Sequence, residues 1–524
     1  EGATQAPAFR RSRIRRRDLT PHPFPAREGA KRSEGLVSSP PRIGEGVGGE
    51  VLVFRKVLIA NRGEIALRII RACKELSIPT VAIHSEADAT TLYVKKADES
   101  CLVGPGPIEG YLNIYRIIDL AKQMAVDAIH PGYGFLAENA EFAQACQDSG
   151  LTFIGPPASA IRAMGDKVAA RQKMKSIGVP IVPGLTEPIS SLEEALHFAD
   201  QIGYPVMLKA SAGGGGRGLR ICKEPDELKK YFQIAQAEAK AAFGKEAVYL
   251  EKYIHAPHHI EFQILADRQG NVIHLGERDC SIQRRHQKLI EIAPSLLLDE
   301  RLRQEMGEAA VAAARSVDYT SAGTIEFLVD SNRRFYFLEM NTRIQVEHTV
   351  TEEITGVDLV KEMIRIAAGQ PISIPQAQVF LRGHAIECRI NAEDPQKNFI
   401  PTPGKITAYY SPGGIGVRID GNVYPGYVVP PYYDSLLAKL TVRARTWNGA
   451  VQRMRRALDE YVIRGVKTTI PFYKQIMEDP DFQTGAFDTT YIDSHLEKLN
   501  IRTEDDRMDK VIAIAAVIAA HSRR

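Results

Sequence analysis

The stretch Lys209-Ala-Ser-Ala-Gly-Gly-Gly-Gly-Arg-Gly218 decides how the central part of the chain is interpreted. It follows Tyr204-Pro-Val-Met-Leu208, an apolar run typical of a strand. Glycine permits positive φ, so several backbone N–H groups of such a loop can converge on phosphate oxygens. Lys209, at the end of the strand, is placed to reach the same phosphates. The residue order is not that of a Walker A loop, and a flexible loop without a ligand is the alternative for this motif alone.

Two predicted strands further along the chain carry carboxylates at positions where they could meet. Glu326 lies within Thr324-Ile-Glu-Phe-Leu328, and Glu339 ends Phe335-Tyr-Phe-Leu-Glu339, with Asn341 two residues later. If these strands pair, the three side chains share one face of the sheet. Two carboxylates and an amide oxygen suit Mg²⁺ or Mn²⁺, which prefer oxygen ligands. For either glutamate alone, a solvated strand face is the more common interpretation.

The segment Asn341-Thr-Arg-Ile-Gln-Val-Glu-His348 carries polar groups at alternate positions. In an extended segment, Asn341, Arg343, Gln345 and Glu347 would face the same side. Arginine can hold a small planar oxyanion through two hydrogen bonds, and glutamate can accept its proton. The pattern therefore predicts an oxyanion site, with a surface ladder of ion pairs as the alternative.

A fourth stretch, Asp279-Cys-Ser-Ile-Gln-Arg-Arg-His-Gln-Lys288, is dense in basic residues. Arg284, Arg285, His286 and Lys288 could together neutralise a phosphoryl group. A basic strand that faces solvent is the alternative for this stretch alone.

Strand and helix patterns alternate where the ordered part of the sequence begins. Apolar runs at Lys56-Val-Leu-Ile-Ala-Asn61 and Thr80-Val-Ala-Ile-His84 flank a helical stripe over Gly63–Leu76. This spacing predicts a βαβ unit and a parallel sheet. The unit lacks the G-x-G-x-x-G pattern, so dinucleotide binding is only weakly indicated. Residues 382–495, with many short strand and turn patterns, predict an α+β module.

Composition argues against several classes of protein. The chain has 524 residues, of which 44% are hydrophobic and 25% charged, as is typical of soluble multidomain proteins. No run of about 18 apolar residues occurs, so no membrane span is expected. The net charge of +3 comes from the basic residues 1–50, so the body of the chain gives no support for a nucleic-acid partner. The 6 cysteines form no C-x-x-C pair, which indicates neither a zinc site nor disulfides and favours a reduced cytoplasmic setting.

Both ends of the chain differ from the rest. Residues 1–52 are rich in Arg, Pro, Gly and Ser without apolar periodicity, which predicts a disordered extension. Its arginines suit a targeting signal or a tail for an anionic partner, but translation from a misplaced upstream start is the favoured interpretation, so the segment is expected not to be native. In the C-terminal extension, 500–524, the run Val511-Ile-Ala-Ile-Ala-Ala-Val-Ile-Ala-Ala520 predicts an apolar helix.

Together these motifs closely resemble the biotin carboxylase family of the ATP-grasp superfamily. The matching stretches run in family order from Phe54 to about Leu499, and they are KVLIANRGEIALRIIRACKEL, HPGYGFLAENAEFA, MGDK, KASAGGGGRG, ERDCSIQRRHQK, EMNTRIQVEH, GHAIECRINAEDP and PPYYDSLLAKL. The resemblance implies a multidomain α/β and α+β fold. Its parts would be a Rossmann-like N-terminal domain at 53–165, an ATP-grasp domain at 166–375 with a glycine-rich lid at about 182–255, and a C-terminal biotin carboxylase domain at 382–495.

The resemblance also implies roles, position by position. ATP would be bound by Lys167, Lys209, Gly215, Gly216, Glu251, Lys252, Tyr253, Ile254, His259 and His286. Mg²⁺ or Mn²⁺ would be held by Glu326, Glu339 and Asn341. Bicarbonate would be bound by Lys288, Arg343, Gln345 and Val346, with Glu347 as its base and Arg389 stabilising the biotin enolate. The sequence departs from the family pattern at His258, where an Arg is often found, and at Thr349, where many relatives have Pro; neither residue touches the implied chemistry.

The implied reaction is ATP- and bicarbonate-dependent carboxylation of biotin through carboxyphosphate. No Met-Lys-Met biotin-attachment motif and no carboxyltransferase segment is present. The expected partners are therefore a separate biotin carboxyl carrier protein and a carboxyltransferase subunit, with the chain itself a homodimer. The resemblance favours a subunit of acetyl-CoA carboxylase. The biotin carboxylase subunit of a two-subunit pyruvate carboxylase is the alternative, since the C-terminal part, with Asp488-Thr-Thr-Tyr-Ile-Asp-Ser-His495, looks more like that enzyme. Rival functions are another ATP-grasp ligase and an inactive ATP-binding scaffold.

Overall fold

The computed structural model describes residues 54–104, 106–184, 189, 191–210, 219–243 and 248–496. The predictions for residues 1–52, for Gly215 and Gly216 of the glycine-rich loop, and for the C-terminal extension 500–524 lie outside these residues. Within the described part of the chain, no helix combines the length and the apolar character needed to cross a membrane. The cysteines are free thiols, and most of them are buried.

The N-terminal part folds as a parallel sheet with helices between its strands. The strands are β1 (Val57–Ile59), β2 (Thr80–Ser85), β3 (Glu99–Gly104), β4 (Ala128–His130) and β5 (Thr152–Phe153), in the order β3-β2-β1-β4-β5. The helices are α1 (Gly63–Glu75), α2 (Leu92–Lys96), α3 (Ile114–Gln123) and α4 (Ala140–Asp148), followed by α5 (Ala158–Gly165) and α6 (Lys167–Ser176). The apolar stripe of α1, with Ile65, Ile69 and Cys73, is buried. The predicted βαβ unit is confirmed, because β1 and β2 pair in parallel.

A small antiparallel sheet follows. Its strands are β6 (Val206–Ala210), β7 (Leu219–Cys222) and β8 (Val248–Lys252), in the order β7-β6-β8. Two helices pack on it, α7 (Leu192–Ile202) and α8 (Pro225–Phe243). Leu208, Leu250 and Phe232 are buried where the sheet meets the helices. The strand predicted before the glycine-rich stretch is confirmed as β6, while the stretch itself, 211–218, lies outside the described residues.

A long antiparallel sheet organises the rest of the chain. Its first strands and the helices among them are β9 (His258–Ala266), β10 (Val272–Arg284), β11 (Gln287–Ala293), α9 (Glu300–Arg315), β12 (Ser321–Val329), β13 (Phe335–Asn341), α10 (His348–Thr355), α11 (Leu359–Ala367) and β14 (His384–Asn391). Then come β15 (Glu393–Asp394), β16 (Ile400–Pro401), β17 (Gly404–Lys405), β18 (Ala408–Tyr410), β19 (Val417–Gly421), β20 (Val428–Val429), β21 (Leu436–Ala444) and β22 (Val462–Arg464). The remaining helices are α12 (Trp447–Glu460), α13 (Ile470–Glu478), α14 (Pro480–Thr484) and α15 (Tyr491–His495).

The strand order of this sheet is β13-β12-β9-β10-β11-β14-β21-β19. Residues 166–375 and 382–495 therefore both contribute strands to one continuous sheet, and β11 pairs with β14 at the junction. The two faces of β14 differ because side chains alternate along a strand. Ile386, Cys388 and Ile390 belong to the apolar core with α12 and α13, whereas Glu387 and Arg389 lie on the opposite face. That polar face meets α10 and positions the candidate site.

Candidate active site

Lys288, at the start of β11, lies in a cluster of carboxylates. Its Nζ donates to Glu261 at 2.5 Å, to Glu347 at 2.8 Å and to Glu326 at 2.9 Å. Burial alone would lower the pKa of Lys288, but these three carboxylates raise it well above its ordinary value. Lys288 is therefore a permanent positive charge at the centre of the cluster.

The basic stretch Asp279–Lys288 is divided by a hairpin. β10 ends at Arg284, and Arg285 and His286 form the turn with positive φ of 50° and 65°. Arg285 and His286 are exposed at the tip, whereas Lys288 is directed into the carboxylate cluster. The four basic residues therefore do not lie together as one group that could neutralise a phosphate. The alternative, a basic strand that faces solvent, does not hold for Lys288.

Pairing of β12 with β13 brings the predicted metal ligands together. Glu326 lies directly opposite Glu339, and Asn341 lies on the same face two residues further along β13. Glu326 is buried and accepts from Asn341 Nδ2 at 2.8 Å and from His259 Nε2 at 2.7 Å. Glu339 is partly exposed and accepts from Lys167 Nζ at 3.0 Å. The predicted pairing of the two strands is confirmed, and it extends the cluster toward solvent.

The charge state of Glu326 suits cation binding. Burial alone would raise the pKa of Glu326, but Lys288 and His259 lower it far below its ordinary value. His259, expected at the nucleotide, thus contacts the carboxylate cluster in this structure. Among the described residues, ligand atoms of His259, Glu261 and Glu326 lie within 4.8 Å of one another.

The oxygen donors at Glu326, Glu339 and Asn341 fit a hard divalent cation in chemistry and in number, since such ions share their sites with phosphate oxygens and water. Glu339 offers a carboxylate that is about one third exposed, with a side-chain relative exposure of 35%. Asn341 Oδ1 accepts from Arg343 at 3.0 Å. That oxygen has a second lone pair with which it could coordinate a cation.

The segment after β13 bends, so the expectation of one extended face over Asn341–His348 is wrong. β13 ends at Asn341 and α10 begins at His348, which forces the chain to turn between them. The ammonium of Lys439 donates to the Val346 carbonyl at 2.7 Å, and His348 Nδ1 lies 2.7 Å from the Gln345 carbonyl. These contacts hold the turn from both sides. The Val346 carbonyl is therefore already engaged within the protein.

The polar side chains of the bent segment still converge. Arg343 donates to the side-chain oxygens of Asn341 at 3.0 Å and of Gln345 at 2.9 Å. Gln345 Nε2 in turn donates to Glu326 at 3.2 Å. A further carboxylate, Glu138, accepts from Arg343 Nε at 3.0 Å. The amide and guanidinium groups thus connect the metal-ligand candidates to the oxyanion candidates.

Glu347 lies between two cations. Its Oε1 accepts from Lys288 at 2.8 Å and its Oε2 accepts from Arg389 at 2.9 Å. Burial alone would raise the pKa of Glu347, but Lys288, Arg389 and Arg278 lower it well below its ordinary value. The carboxylate is therefore ionised at neutral pH and able to accept a proton from a bound acid.

A second group of predicted residues lies on the small sheet. Lys209 on β6 forms an ion pair with Glu251 on β8, and Glu251 also accepts from Arg171 on α6. Lys252 Nζ donates to the carbonyls of Gly203 and Tyr204, each at 2.9 Å. Lys252 is therefore bound to the segment that precedes β6, while Lys209 on the central strand pairs with Glu251 on the edge strand β8. Tyr253 and Ile254 follow directly after β8.

The segment 180–184 joins the two groups. The Pro180 carbonyl accepts from the Phe337 amide on β13 at 2.7 Å, and the Pro183 carbonyl accepts from the Lys252 amide on β8 at 2.7 Å. The edge of the small sheet that carries Glu251 therefore lies beside β13. Lys167 at the start of α6 reaches Glu339 on that strand.

Sequence reasoning missed four charged residues of the site, namely Glu138, Glu261, Arg278 and Glu291. Arg278 is fully buried and donates to Glu261 at 2.5 Å and to Gln263 at 2.7 Å. Glu291 accepts from Arg389 Nε at 2.6 Å. For Arg278 a signal was present, because three consecutive charged residues, 277–279, interrupt an otherwise apolar strand pattern.

The chain matches three family models in order along its sequence. Residues 53–161 match the model described as biotin carboxylase, N-terminal domain, and residues 166–374 match carbamoyl-phosphate synthase L chain, ATP binding domain. Residues 387–494 match the biotin carboxylase C-terminal domain. Together these matches cover most of the chain.

Relatives with the same arrangement are found in several organisms. The chain is 55% identical over 445 residues to biotin carboxylase 1 of Bacillus subtilis, covering 84% of this chain and 99% of the relative. It is 53% identical over 491 residues to a pyruvate carboxylase subunit of Methanothermobacter thermautotrophicus, covering 90% of this chain and 100% of the relative. The biotin carboxylase domain dimer of Hydrogenobacter thermophilus 2-oxoglutarate carboxylase, solved with MgADP, ADP and bicarbonate, is 56% identical, with 86% of this chain and 99% of that chain covered and a TM-score of 0.80.

Proposed function

This chain belongs to the biotin carboxylase family of ATP-dependent ligases, and we propose that it uses Mg-ATP and bicarbonate to carboxylate biotin on a separate carrier protein. The observation that carries the proposal is the position of Glu347 between Lys288 and Arg389. A base flanked by two cations can receive an acidic oxyanion on one side and leave the other cation available for a second substrate.

In the first step, Glu347 takes the proton of bicarbonate and the resulting carbonate oxygen attacks the γ-phosphorus of ATP. The bond to the β-phosphate oxygen breaks, which gives carboxyphosphate and ADP. Lys167 and Lys209 offset the charge of the phosphate oxygens, since phosphoryl transfer depends on positioning and electrostatics. Glu326 and Glu339 would hold Mg²⁺, which supplies further neutralisation of the phosphates when bound.

In the second step, carboxyphosphate separates into CO₂ and phosphate. The phosphate removes the N1′ proton of biotin, and the enolate oxygen that develops is stabilised by the Arg389 guanidinium. The nucleophilic N1′ then forms its bond to CO₂. Exclusion of water is essential because water destroys carboxyphosphate, and the low side-chain exposure of Glu347 and Arg389, 1% and 15%, serves that requirement.

Carboxylated biotin must pass its carboxyl group to a final acceptor. We propose a carboxylase that acts on a 2-oxo acid such as pyruvate, with this chain as a homodimeric biotin carboxylase subunit beside a carrier protein and a carboxyltransferase. The alignment with the Methanothermobacter pyruvate carboxylase subunit covers 90% of this chain, against 84% for the Bacillus biotin carboxylase, and so extends beyond the 53–494 span of the family models. Acetyl-CoA carboxylase is the second candidate, favoured by the 55% identity to that biotin carboxylase.

The test uses the full chain with MgATP, bicarbonate and free biotin. The proposal expects ADP release that requires bicarbonate and rises with biotin, together with carboxylation of biotin from labelled bicarbonate. ADP release that biotin does not increase would indicate another ATP-grasp ligase, and nucleotide binding without turnover would indicate a scaffold. For the acceptor, the chain is combined with carrier and carboxyltransferase from the native host; transfer of label to acetyl-CoA but not to pyruvate would reverse the order of the two candidates.

A further inference from the structure

Arg389 has a second carboxylate partner that the proposed chemistry leaves without a role. Its Nε donates to Glu291 Oε1 at 2.6 Å, and its Nη2, which donates to Glu347, lies 2.5 Å from the same Glu291 oxygen. Glu291 lies on β11 and is fully buried. Among the described residues its other oxygen, Oε2, has no hydrogen-bond partner. A buried carboxylate oxygen without a donor is costly, so a donor close by is expected.

Another buried glutamate stands directly opposite Glu291 in the sheet. Glu387 on β14 is its register partner, and directly opposed side chains share one face. Oε2 of Glu387 accepts from the Thr349 hydroxyl and lies 3.5 Å from the Thr441 hydroxyl. Its Oε1, like Oε2 of Glu291, has no partner in the described part of the chain. Each carboxyl thus presents one unsatisfied oxygen in the same buried region.

The surroundings do not hold enough positive charge to keep both carboxyls ionised. The charged and titratable groups that interact with the pair are Lys288 on β11, Arg389 and Cys388 on β14, Lys439 on β21, Cys280 on β10, Glu347 beside α10 and Tyr473 on α13. Burial raises the pKa of Glu291 to about 7 and that of Glu387 to about 8, although Arg389 and Lys439 act in the opposite direction. Glu291 is ion-paired with Arg389, whereas the hydrogen-bond contacts of Glu387 are the hydroxyls of Thr349 and Thr441, so Glu387 is the carboxyl that more readily retains a proton.

We propose that Glu291 is a positioning residue that holds Arg389 in place when Glu347 takes up a proton, and that Glu387 carries one proton shared with Glu291. The inference rests on the proposed function, because it concerns the moment at which Glu347 acts as a base. A protonated Glu347 no longer attracts the guanidinium, and Glu291 then keeps Arg389 aimed at biotin. Thr349 donates to Oε2 of Glu387, which leaves Oε1 to carry the proton and to donate to Oε2 of Glu291.

The first test separates the two half-reactions in Glu291→Gln. Bicarbonate-dependent ATP cleavage without biotin should change by less than about threefold, whereas biotin carboxylation should fall at least about tenfold, with partial rescue in Glu291→Asp. The control is Glu277→Gln, which removes another buried glutamate charge, paired with Arg303 at 2.9 Å, and should leave both reactions at the wild-type level. Equal loss of both reactions in Glu291→Gln, or no loss in either, would overturn the positioning role.

The second test measures the shared proton without any turnover, by thermal unfolding of wild type and Glu387→Gln from pH 6 to about pH 9. An acid whose pKa is raised in the folded state loses its stabilising contribution as pH rises through that pKa. The Tm of wild type should therefore fall relative to that of Glu387→Gln between pH 6 and about pH 8, and the difference should change no further above that pH. Parallel curves would overturn the shared proton. If wild type instead lacks biotin-dependent ADP release, the proposed function fails while this measurement still decides the proton.

Discussion

Lys439 and Glu64 form a buried ion pair between β21 and α1, with Nζ and Oε1 3.1 Å apart and side-chain exposures of 0% and 3%. The same ammonium donates to the Val346 carbonyl at 2.7 Å. One cation therefore connects the N-terminal part of the fold, the C-terminal part and the turn that precedes Glu347. This arrangement makes the geometry of the proposed base dependent on elements far away in sequence.

Replacement of Lys439 by Met should destabilise the fold by about 3–5 kcal/mol, because Glu64 is left as an uncompensated buried charge. Urea unfolding followed by circular dichroism measures this loss. The matched control is Lys74→Met, whose side chain is 48% exposed and 4.0 Å from Asp98. The control should cost less than about 1 kcal/mol. Equal effects of the two substitutions would show that the buried pair has no special part in stability.

Replacement of Glu347 by Gln should abolish bicarbonate-dependent ATP cleavage, with a loss of about 10²–10⁴-fold, because the amide cannot accept the bicarbonate proton. MgADP binding, measured by calorimetry, should stay within about threefold of wild type, since Glu347 contacts Lys288 and Arg389 rather than the Lys209–Glu251 pair. Glu308→Gln, an exposed substitution on α9, is the control. Retained ATP cleavage in Glu347→Gln would remove Glu347 from the mechanism.

Replacement of Arg389 by Met should impair the carboxylation of biotin but not the cleavage of ATP. The methionine fills the buried space but cannot stabilise an enolate, so carboxylation of free biotin should fall by at least about 10²-fold. Bicarbonate-dependent ATP cleavage should persist, because Lys288 still contacts Glu347. Product analysis with labelled bicarbonate checks both values. Normal biotin carboxylation by this variant would contradict the assigned role.

Much of the fold was predictable because local patterns report local structure. The apolar stripe of α1 and the runs at β1 and β2 follow directly from side-chain periodicity, and the pairing of Glu326 with Glu339 follows from two neighbouring strands joined by a short loop. Contacts between distant segments were not predictable in this way. Glu291 and Arg389 are adjacent only because β11 pairs with β14, and no spacing rule in one sequence specifies that register.

The bend after β13 is a second feature that the local sequence pattern did not predict. Alternating polar residues from Asn341 to Glu347 predicted an extended strand, yet the chain turns there, and Lys439 on β21 binds the Val346 carbonyl within the turn. Residue types alone predicted an oxyanion site at Arg343, Gln345 and Glu347, since each type is suited to an oxyanion, and these roles stay a prediction. Their actual contacts depend on tertiary packing, which overrides a local pattern of this length.

The candidate metal ligands predict a change in Mg²⁺ dependence. In Glu339→Gln, one carboxylate of the pair loses its charge, so the Mg²⁺ concentration that gives half-maximal ADP release should rise at least about tenfold. Glu339 is partly exposed, and its substitution should leave thermal stability nearly unchanged. Chelation of Mg²⁺ by EDTA should stop turnover in wild type and variant alike. An unchanged Mg²⁺ dependence in Glu339→Gln would place the cation elsewhere.

His258 predicts a pH dependence of stability that a relative with arginine at this position would lack. His258 Nδ1 lies 3.2 Å from the buried Asp279 carboxylate. Burial alone would lower the pKa of His258, but Asp279 raises it above its ordinary value. A raised histidine pKa stabilises the fold at low pH, and that contribution is lost as pH rises through the raised value. Wild type should therefore lose stability between about pH 6 and pH 8 relative to His258→Arg, which keeps its charge throughout.

Thermal unfolding over this pH range provides the measurement. His258→Gln, which carries no charge at any pH, should be least stable relative to wild type at about pH 6 and should approach it at about pH 8. His197→Gln, an exposed substitution on α7, is the control and should follow the wild-type curve. Tm curves that run parallel for wild type, His258→Arg and His258→Gln would show that the Asp279 contact does not depend on a charged imidazole. At high pH the Tm curves of wild type and His258→Gln should converge, and the curve of His258→Arg should remain above both. The reason is that only the guanidinium still pairs with Asp279 at that pH.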